Sequence, residues 1–220
     1  MFIAILQQTQ VYMKEKFNQL IADTVKPFLK TNGFAKKGMN FYRKKDDLIF
    51  LFNFQNSQSN SFRETKFYIN CAIHSTKIDK VIGKTERSEP KEYECYFRDR
   101  ISSITQSIND GYFLKENTDL PNLSLTIITD LKTVILMFDN IQSTNDLIDL
   151  MINENGLNNY SELFEYLILT ENKKGLKHFV KQLHGTFGTE ERWTIFEDNL
   201  TEILKKNSKA ETIIDILNEK

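Results

Sequence analysis

The chain reads as an α+β protein: an antiparallel sheet of at least four strands packed on an N-terminal helix, followed by a C-terminal helical layer. Three observations predict this. Apolar residues recur at helical spacing up to Gly33. Between Phe34 and His74 the period switches to two, and the intervening turns are too short for parallel crossovers. After Pro121 the helical spacing returns and persists.

Each element has its own signal. From Val11 to Lys30 the residues Phe17, Leu20, Ile21, Val25, Phe28 and Leu29 share one helical face. Asn32-Gly33 supplies the stop, and Pro27 should kink or shorten the last turn. Phe34 to Arg43 reads as a strand, Lys44 to Asp47 as its turn, and Leu48 to Phe54 as a second strand dense in β-formers. Asn56 to Arg63 is a polar loop, and Lys66 to His74 a third strand. Ile78 to Lys91 is charged and reads as a loop or a poorly packed helix. Tyr93 to Thr105 is the fourth strand, whose end could equally turn into a helix; Asn109-Asp110-Gly111 marks a turn.

Beyond Pro121, a stripe of Ile128, Leu131, Ile135 and Phe138 predicts one helix. Ser143 caps the next, and Asn159 another. A helix with Leu176, Phe179, Val180 and Leu183 is closed by Gly185. Thr189 opens a helix that runs through Trp193 to Leu204. Ser208-Lys209-Ala210-Glu211 reads as a capping box for a final helix. No fixed-period repeat is present, so this is not a solenoid. The expected organisation is an N-terminal extension over 1–12, an α+β domain over 13–142, and a helical region over 143–220 packed on it. Met13 could serve as the start, because the amphipathic pattern begins just before it.

Composition narrows the function classes. Lysine plus arginine (29) nearly cancels aspartate plus glutamate (30), so no field gathers polyanions and no nucleic-acid partner is expected. No stretch approaches the roughly 20 apolar residues that span a bilayer, so no membrane association is expected. The opening Met-Phe-Ile-Ala-Ile-Leu lacks a basic flank and is too short for a signal core. Cys71 and Cys95 belong to no Cys-x-x-Cys pair, which fits reduced thiols and a cytoplasmic location.

The chemistry-bearing residues are few. His178 and His184 are six apart rather than four, so neither a metal site nor a cofactor is expected. Gly33-Phe-Ala-Lys-Lys-Gly38 is followed by a strand and is no phosphate loop. Gly185-Thr-Phe-Gly188 could receive an anion at a helix start, but a helix stop followed by a helix start explains it better. Strand alternation places Phe50, Phe52 and Phe54 with Phe67, Ile69, Cys71 and Ile73 on a core face. The opposite face carries Asn53, Gln55, Ser57 and Asn70, with Arg43 and Arg98 on neighbouring strands. Amides and guanidinium groups there can hold a carboxylate or a backbone segment. None titrates near neutral pH, so the strip favours binding over catalysis. The competing reading is a solvated face, or polar groups that satisfy one another beneath a helix.

Gly33-Phe34, Lys36-Lys37, Phe41 and Arg43, then Asn53-Phe54-Gln55 with Ser57, then Phe67 and Ile69-Asn70 resemble a bacterial family of unknown function. Its members carry a GFxKKxxxFxR, NFQxS, FxIN series after an N-terminal helix. Arg98, Arg100 and Ile101, followed by Asp110 and Tyr112-Phe113, resemble its next block, although the family often has Trp at the aromatic pair. The resemblance covers roughly 13–141 and implies an α+β fold with no assigned reaction. Some relatives are thought to sit near contact-dependent toxin systems, which implies an immunity-type role with a toxin-like protein partner. The expected function is therefore a soluble, non-enzymatic binding module. The alternative is a small-ligand protein or an enzyme that uses the same strip.

Overall fold

Helix α1 occupies residues 13–31 and buries Met13, Phe17, Leu20, Ile21, Val25 and Leu29. Pro27 has no N–H to give to the turn before it, and that turn, Ile21–Val25, is wound as a π-helix. The Lys26 N–H reaches five residues back to the Ile21 carbonyl. Gly33 ends the helix at φ +83°, with its N–H on the Lys30 carbonyl and the Phe34 N–H on the Leu29 carbonyl. This paired closure needs the left-handed conformation that glycine adopts without strain.

The computed structural model describes residues 13–61, 64–154 and 159–218; the expected extension over 1–12 lies outside them. The chain divides into two compact units, Met1–Ile73 with Glu89–Ile141, and His74–Ser88 with Gln142–Lys220.

The first unit holds a six-stranded sheet of β1 (Ala35–Lys37), β2 (Asn40–Lys45), β3 (Leu48–Asn56), β4 (Glu64–Ser75, whose last two residues belong to the second unit), β5 (Phe97–Arg100) and β6 (Tyr112–Lys115). The order is β1-β2-β3-β4-β5, with β6 also on β4. The expected first strand is in fact a hairpin. Gly38 has φ +61° and Met39 does not share the sign, the pattern of a type II′ turn, and it breaks the run into β1 and β2. The expected fourth strand is shorter than the alternation implied. Glu92–Glu94 form a 3₁₀ turn, β5 spans four residues, and helix α3 (Ile101–Ile104) follows at once. Strand β6 has no counterpart in the sequence reading. It pairs with residues 64–67 of β4, while β5 pairs with residues 70–73, so the two lie end to end along one long strand.

One face of the sheet is the main core. Phe17 of α1 meets Phe67 edge-on at 5.0 Å between centroids, and Phe34 meets Phe52 at 5.1 Å. Helix α4 (Leu120–Asn140) covers the same face, with Phe138 at 5.0 Å from Phe50 and 5.2 Å from Phe52. Contrary to the expectation that no segment could cross a membrane, α4 has the length and the apolar composition to do so. In this fold it buries one face, Ile127, Leu131, Val134, Ile135 and Phe138, while Leu125 and Leu136 are exposed. The opposite sheet face has a smaller core of Tyr42, Ile49, Leu51, Ala72 and Cys95. The Tyr42 hydroxyl donates to the Pro90 carbonyl at 3.2 Å, and so ties the segment before β5 onto this face.

The second unit comprises helices α2 (Thr76–Val81), α5 (Thr144–Asn153), α6 (Tyr160–Leu169), α7 (Lys173–Phe187), α8 (Trp193–Lys206) and α9 (Ile213–Asn218). Ser75 caps α2, and Ser143 with Asp146 forms a capping box on α5. Three expected boundaries move. Helix α7 runs through Gly185 to Phe187, because burial of Phe187 against Phe196 outweighs the glycine penalty. Helix α8 therefore starts at Trp193 rather than Thr189, and no helix start follows Gly185. The final capping box is Thr212 with Asp215, while Ser208 ends α8 at φ +54°.

Candidate functional site

The polar strip is a connected ladder of amides across three strands. Asn53 Nδ2 donates to Asn40 Oδ1 at 2.6 Å. Asn70 Nδ2 donates to Asn53 Oδ1 at 3.0 Å and to Gln55 Oε1 at 2.9 Å. Asn40 Nδ2 in turn reaches the Tyr42 hydroxyl at 3.0 Å. Alternation brings these side chains to one face, and burial decides their roles. Asn70, 7% exposed, is the central donor, and Gln55 at the exposed end presents its head group to solvent. The ladder thus satisfies itself to a large extent, as buried polar groups do.

Of the six residues expected in the strip, five share this face. Ser57 accepts from the Ser59 N–H at 3.2 Å and hydrogen-bonds Tyr68. Arg98 is paired in register with Ala72, two residues from Asn70, and lies 3.9 Å from Glu92. Arg43 is not in the strip. It is opposite Phe50 in register, and cross-strand partners share a face, so it points to the main core side. There its guanidinium lies 4.9 Å from the Phe34 ring centre and 5.1 Å from that of Phe50, and it pairs with Asp139 at 2.7 Å. The expectation failed on the parity of β2, which only the register with β3 reveals.

Beside the ladder lies a cluster that the sequence reading did not assign as a site. Lys66 and Arg100 converge on Asp110, at 2.6 and 3.2 Å. Both cations also sit over Tyr68, Arg100 at 4.0 Å and Lys66 at 5.0 Å from the ring centre, and Lys66 lies 5.2 Å from the Phe113 ring. Gly111 makes this possible. A Cβ there would fall 2.8 Å from the Phe67 carbonyl oxygen and 3.0 Å from Tyr68 Cδ1. The alternation that placed Asn70 on this face also places Lys66 and Tyr68. Asp110 and Phe113 join them only through β6.

The electrostatics follow from the geometry. The hydrogen bond from Lys66, ahead of its charge and that of Arg100, holds the Asp110 carboxyl below its ordinary value. The same hydrogen bond raises Lys66. The Tyr68 phenol is lowered by its hydrogen bonds with Ser57 first and Lys66 second. Two cations share one carboxylate, so the cluster keeps net positive charge. Phe113 at its edge is 37% exposed, and Tyr93 and Ile108 on adjoining segments are 60% and fully exposed. Among the described residues, no group of three or more His, Cys, Asp or Glu side chains could hold a metal ion.

Residues 25–140 match the model of a family described as a domain of unknown function, DUF4304. The match begins inside α1 and ends on the last residue of α4, so it spans all six strands. No curated protein and no solved structure matches the chain.

Proposed function

We propose that this chain, which belongs to the DUF4304 family, is a non-enzymatic protein-binding module that works through the outer face of its sheet. The observation that carries the reading is the Lys66–Tyr68–Arg100–Phe113 cluster. Arginine, tyrosine and exposed aromatic residues, rimmed by polar groups, are the composition of binding hot spots. The inward-bonded amide ladder supports the same reading. It stiffens the face on which the cluster stands and presents little free hydrogen-bonding capacity to a small molecule.

The partner proposed is a toxin-like protein, held by this chain as an immunity-type inhibitor in the cytoplasm. Cys71 and Cys95 support that compartment, since both are buried and neither forms a disulfide. Burial pushes the Cys71 thiol well up, with Asp99 adding to the shift, which leaves it unreactive. The alternative, a small-ligand protein or an enzyme using the strip, loses its anchor because Arg43 and Gln55 point to opposite faces. The test is isolation of the tagged protein from the cells that produce it, beside an Arg100→Ala/Phe113→Ala variant. One stoichiometric protein held by the parent and lost by the variant supports the proposal. A retained small molecule without a protein partner overturns it.

A further inference from the structure

A second site lies at the junction of β6 with α3 and α4. A cavity of about 180 Å³ is lined by Ser102, Ser107, Thr126, Tyr112, Phe113 and Asp130, among others. Its volume equals roughly six waters' share of the liquid. That is below the range of about 300–1,000 Å³ for pockets that hold drug-sized ligands or cofactors. It suits a single head group with a short stem.

The chemistry of the walls selects the charge of that group. Asp130 is the one charged side chain in the lining. Its Oδ2 accepts from the Tyr112 hydroxyl at 2.6 Å, and among the described residues it has no ion pair and no other hydrogen bond. A neutral donor does not cancel a carboxylate, so the cavity carries a negative charge that no lining residue balances. Lys66 and Arg100 of the neighbouring cluster do not line the cavity, and both meet Asp110. The serine and threonine hydroxyls offer further acceptors, and Phe113 offers a ring. Burial keeps the Tyr112 phenol protonated, with Asp130 reinforcing it, so this donor stays fixed on Oδ2 and leaves Oδ1 for a ligand.

We infer that this cavity binds an organic cation, an alkylammonium or alkylguanidinium head group, against Asp130. The source is either a free small amine or a lysine or arginine side chain of a protein. The inference stands apart from the partner reading, because of the cluster's residues only Phe113 lines the cavity and binding is predicted in the absence of any partner.

The probes are n-butylammonium and ethylguanidinium chloride, titrated into the full chain and followed by amide chemical shifts, with n-butanol and sodium chloride as controls. Saturable shifts centred on Ser107, Gly111 and Thr126 are expected from either cation. Asp130→Asn should weaken binding at least tenfold. Thr126→Phe, which fills the cavity and leaves the Asp130–Tyr112 bond in place, should abolish it, so the test survives if the first variant fails to fold. Absence of saturable shifts overturns the inference, as does n-butanol binding as well as the amine. Undiminished binding in folded Asp130→Asn does the same. To separate the sources, acetyl-lysine-amide and acetyl-arginine-amide are compared with the free amines. Tighter binding of the capped residues assigns the site to a protein side chain, and tighter binding of the free amines assigns it to a metabolite.

Discussion

The guanidinium of Arg100 lies 4.0 Å from the ring centre of Tyr68 while its Nη1 meets Asp110 Oδ2 at 3.2 Å. One side chain thus joins the middle of β4 to the turn before β6. Asp110 also receives Lys66, and Gly111 presses on the edge of the same Tyr68 ring. The exposed cluster is therefore ordered from beneath by backbone packing.

Gly111 is the packing point that admits least change. Its missing Cβ is a matter of space, because the nearest obstruction is the Phe67 backbone carbonyl, which cannot rotate away. Gly111→Ala should destabilise the protein by about 1–3 kcal/mol, as overpacking does. Urea unfolding measures it. An unchanged midpoint would mean that β6 does not approach β4 this closely.

The amide ladder predicts unequal costs at its two positions. Asn70→Ala removes a buried donor to two oxygens and should cost about 1–3 kcal/mol. Gln55→Ala removes an exposed acceptor and should fall within about 0.5 kcal/mol. Equal losses in thermal melting would contradict the ladder.

Lys16 is a buried cation that meets carbonyls rather than a carboxylate. It is 8% exposed, and its Nζ donates to the carbonyls of Lys115 and Glu116 at 2.8 and 2.9 Å. It therefore clamps the end of β6 to α1. Lys16→Met keeps the stem and deletes the donor, and should cost about 1.5–3 kcal/mol, the range for hydrogen bonds to charged groups. Hydrogen exchange should show faster opening at residues 112–118, and a variant with parent-like protection there would refute the clamp.

The Lys66–Asp110 pair sets a pH window. Asp110 is depressed in the folded state, so its contribution is present above the unfolded carboxyl value, about 3.9, and is lost as pH falls through the folded one. Lys66 is raised, so its contribution is present below about 10.4 and is lost as pH rises through its folded value. Carboxyl carbon shifts across an acid titration should place Asp110 below ordinary aspartates, and Lys66→Met should move it upward. An Asp110 that titrates unchanged in that variant would dissolve the pair.

The α+β architecture was legible because its signals are local. Period-two alternation in β3 and β4, the Asn32-Gly33 stop and the Ser143 cap each need only their own neighbours. What was not legible depended on pairing. Arg43 was assigned to the wrong face because the Gly38 hairpin and the β2–β3 register decide its side. Strand β6 is four residues long and gains its identity from the free half of β4, which no local pattern announces. The amide strip could be read because alternation lists its members. Its inward bonding, and the cluster around Tyr68, appear only when β5 and β6 are laid on β4. At the C-terminal helices, burial of Phe187 carried α7 past a glycine that in isolation reads as a stop.

The most direct test of the binding account is the Arg100→Ala/Phe113→Ala variant, with its melting temperature and its partner content determined on the same preparation. Both side chains are exposed, a surface ion pair such as Arg100–Asp110 contributes only about 0–1 kcal/mol, and Lys66 still holds Asp110 when Arg100 is removed. The account predicts a melting temperature within a few degrees of the parent and loss of the stoichiometric protein partner. A variant that keeps its partner, or one that loses it only by unfolding, would contradict the assignment of the outer sheet face as the working surface.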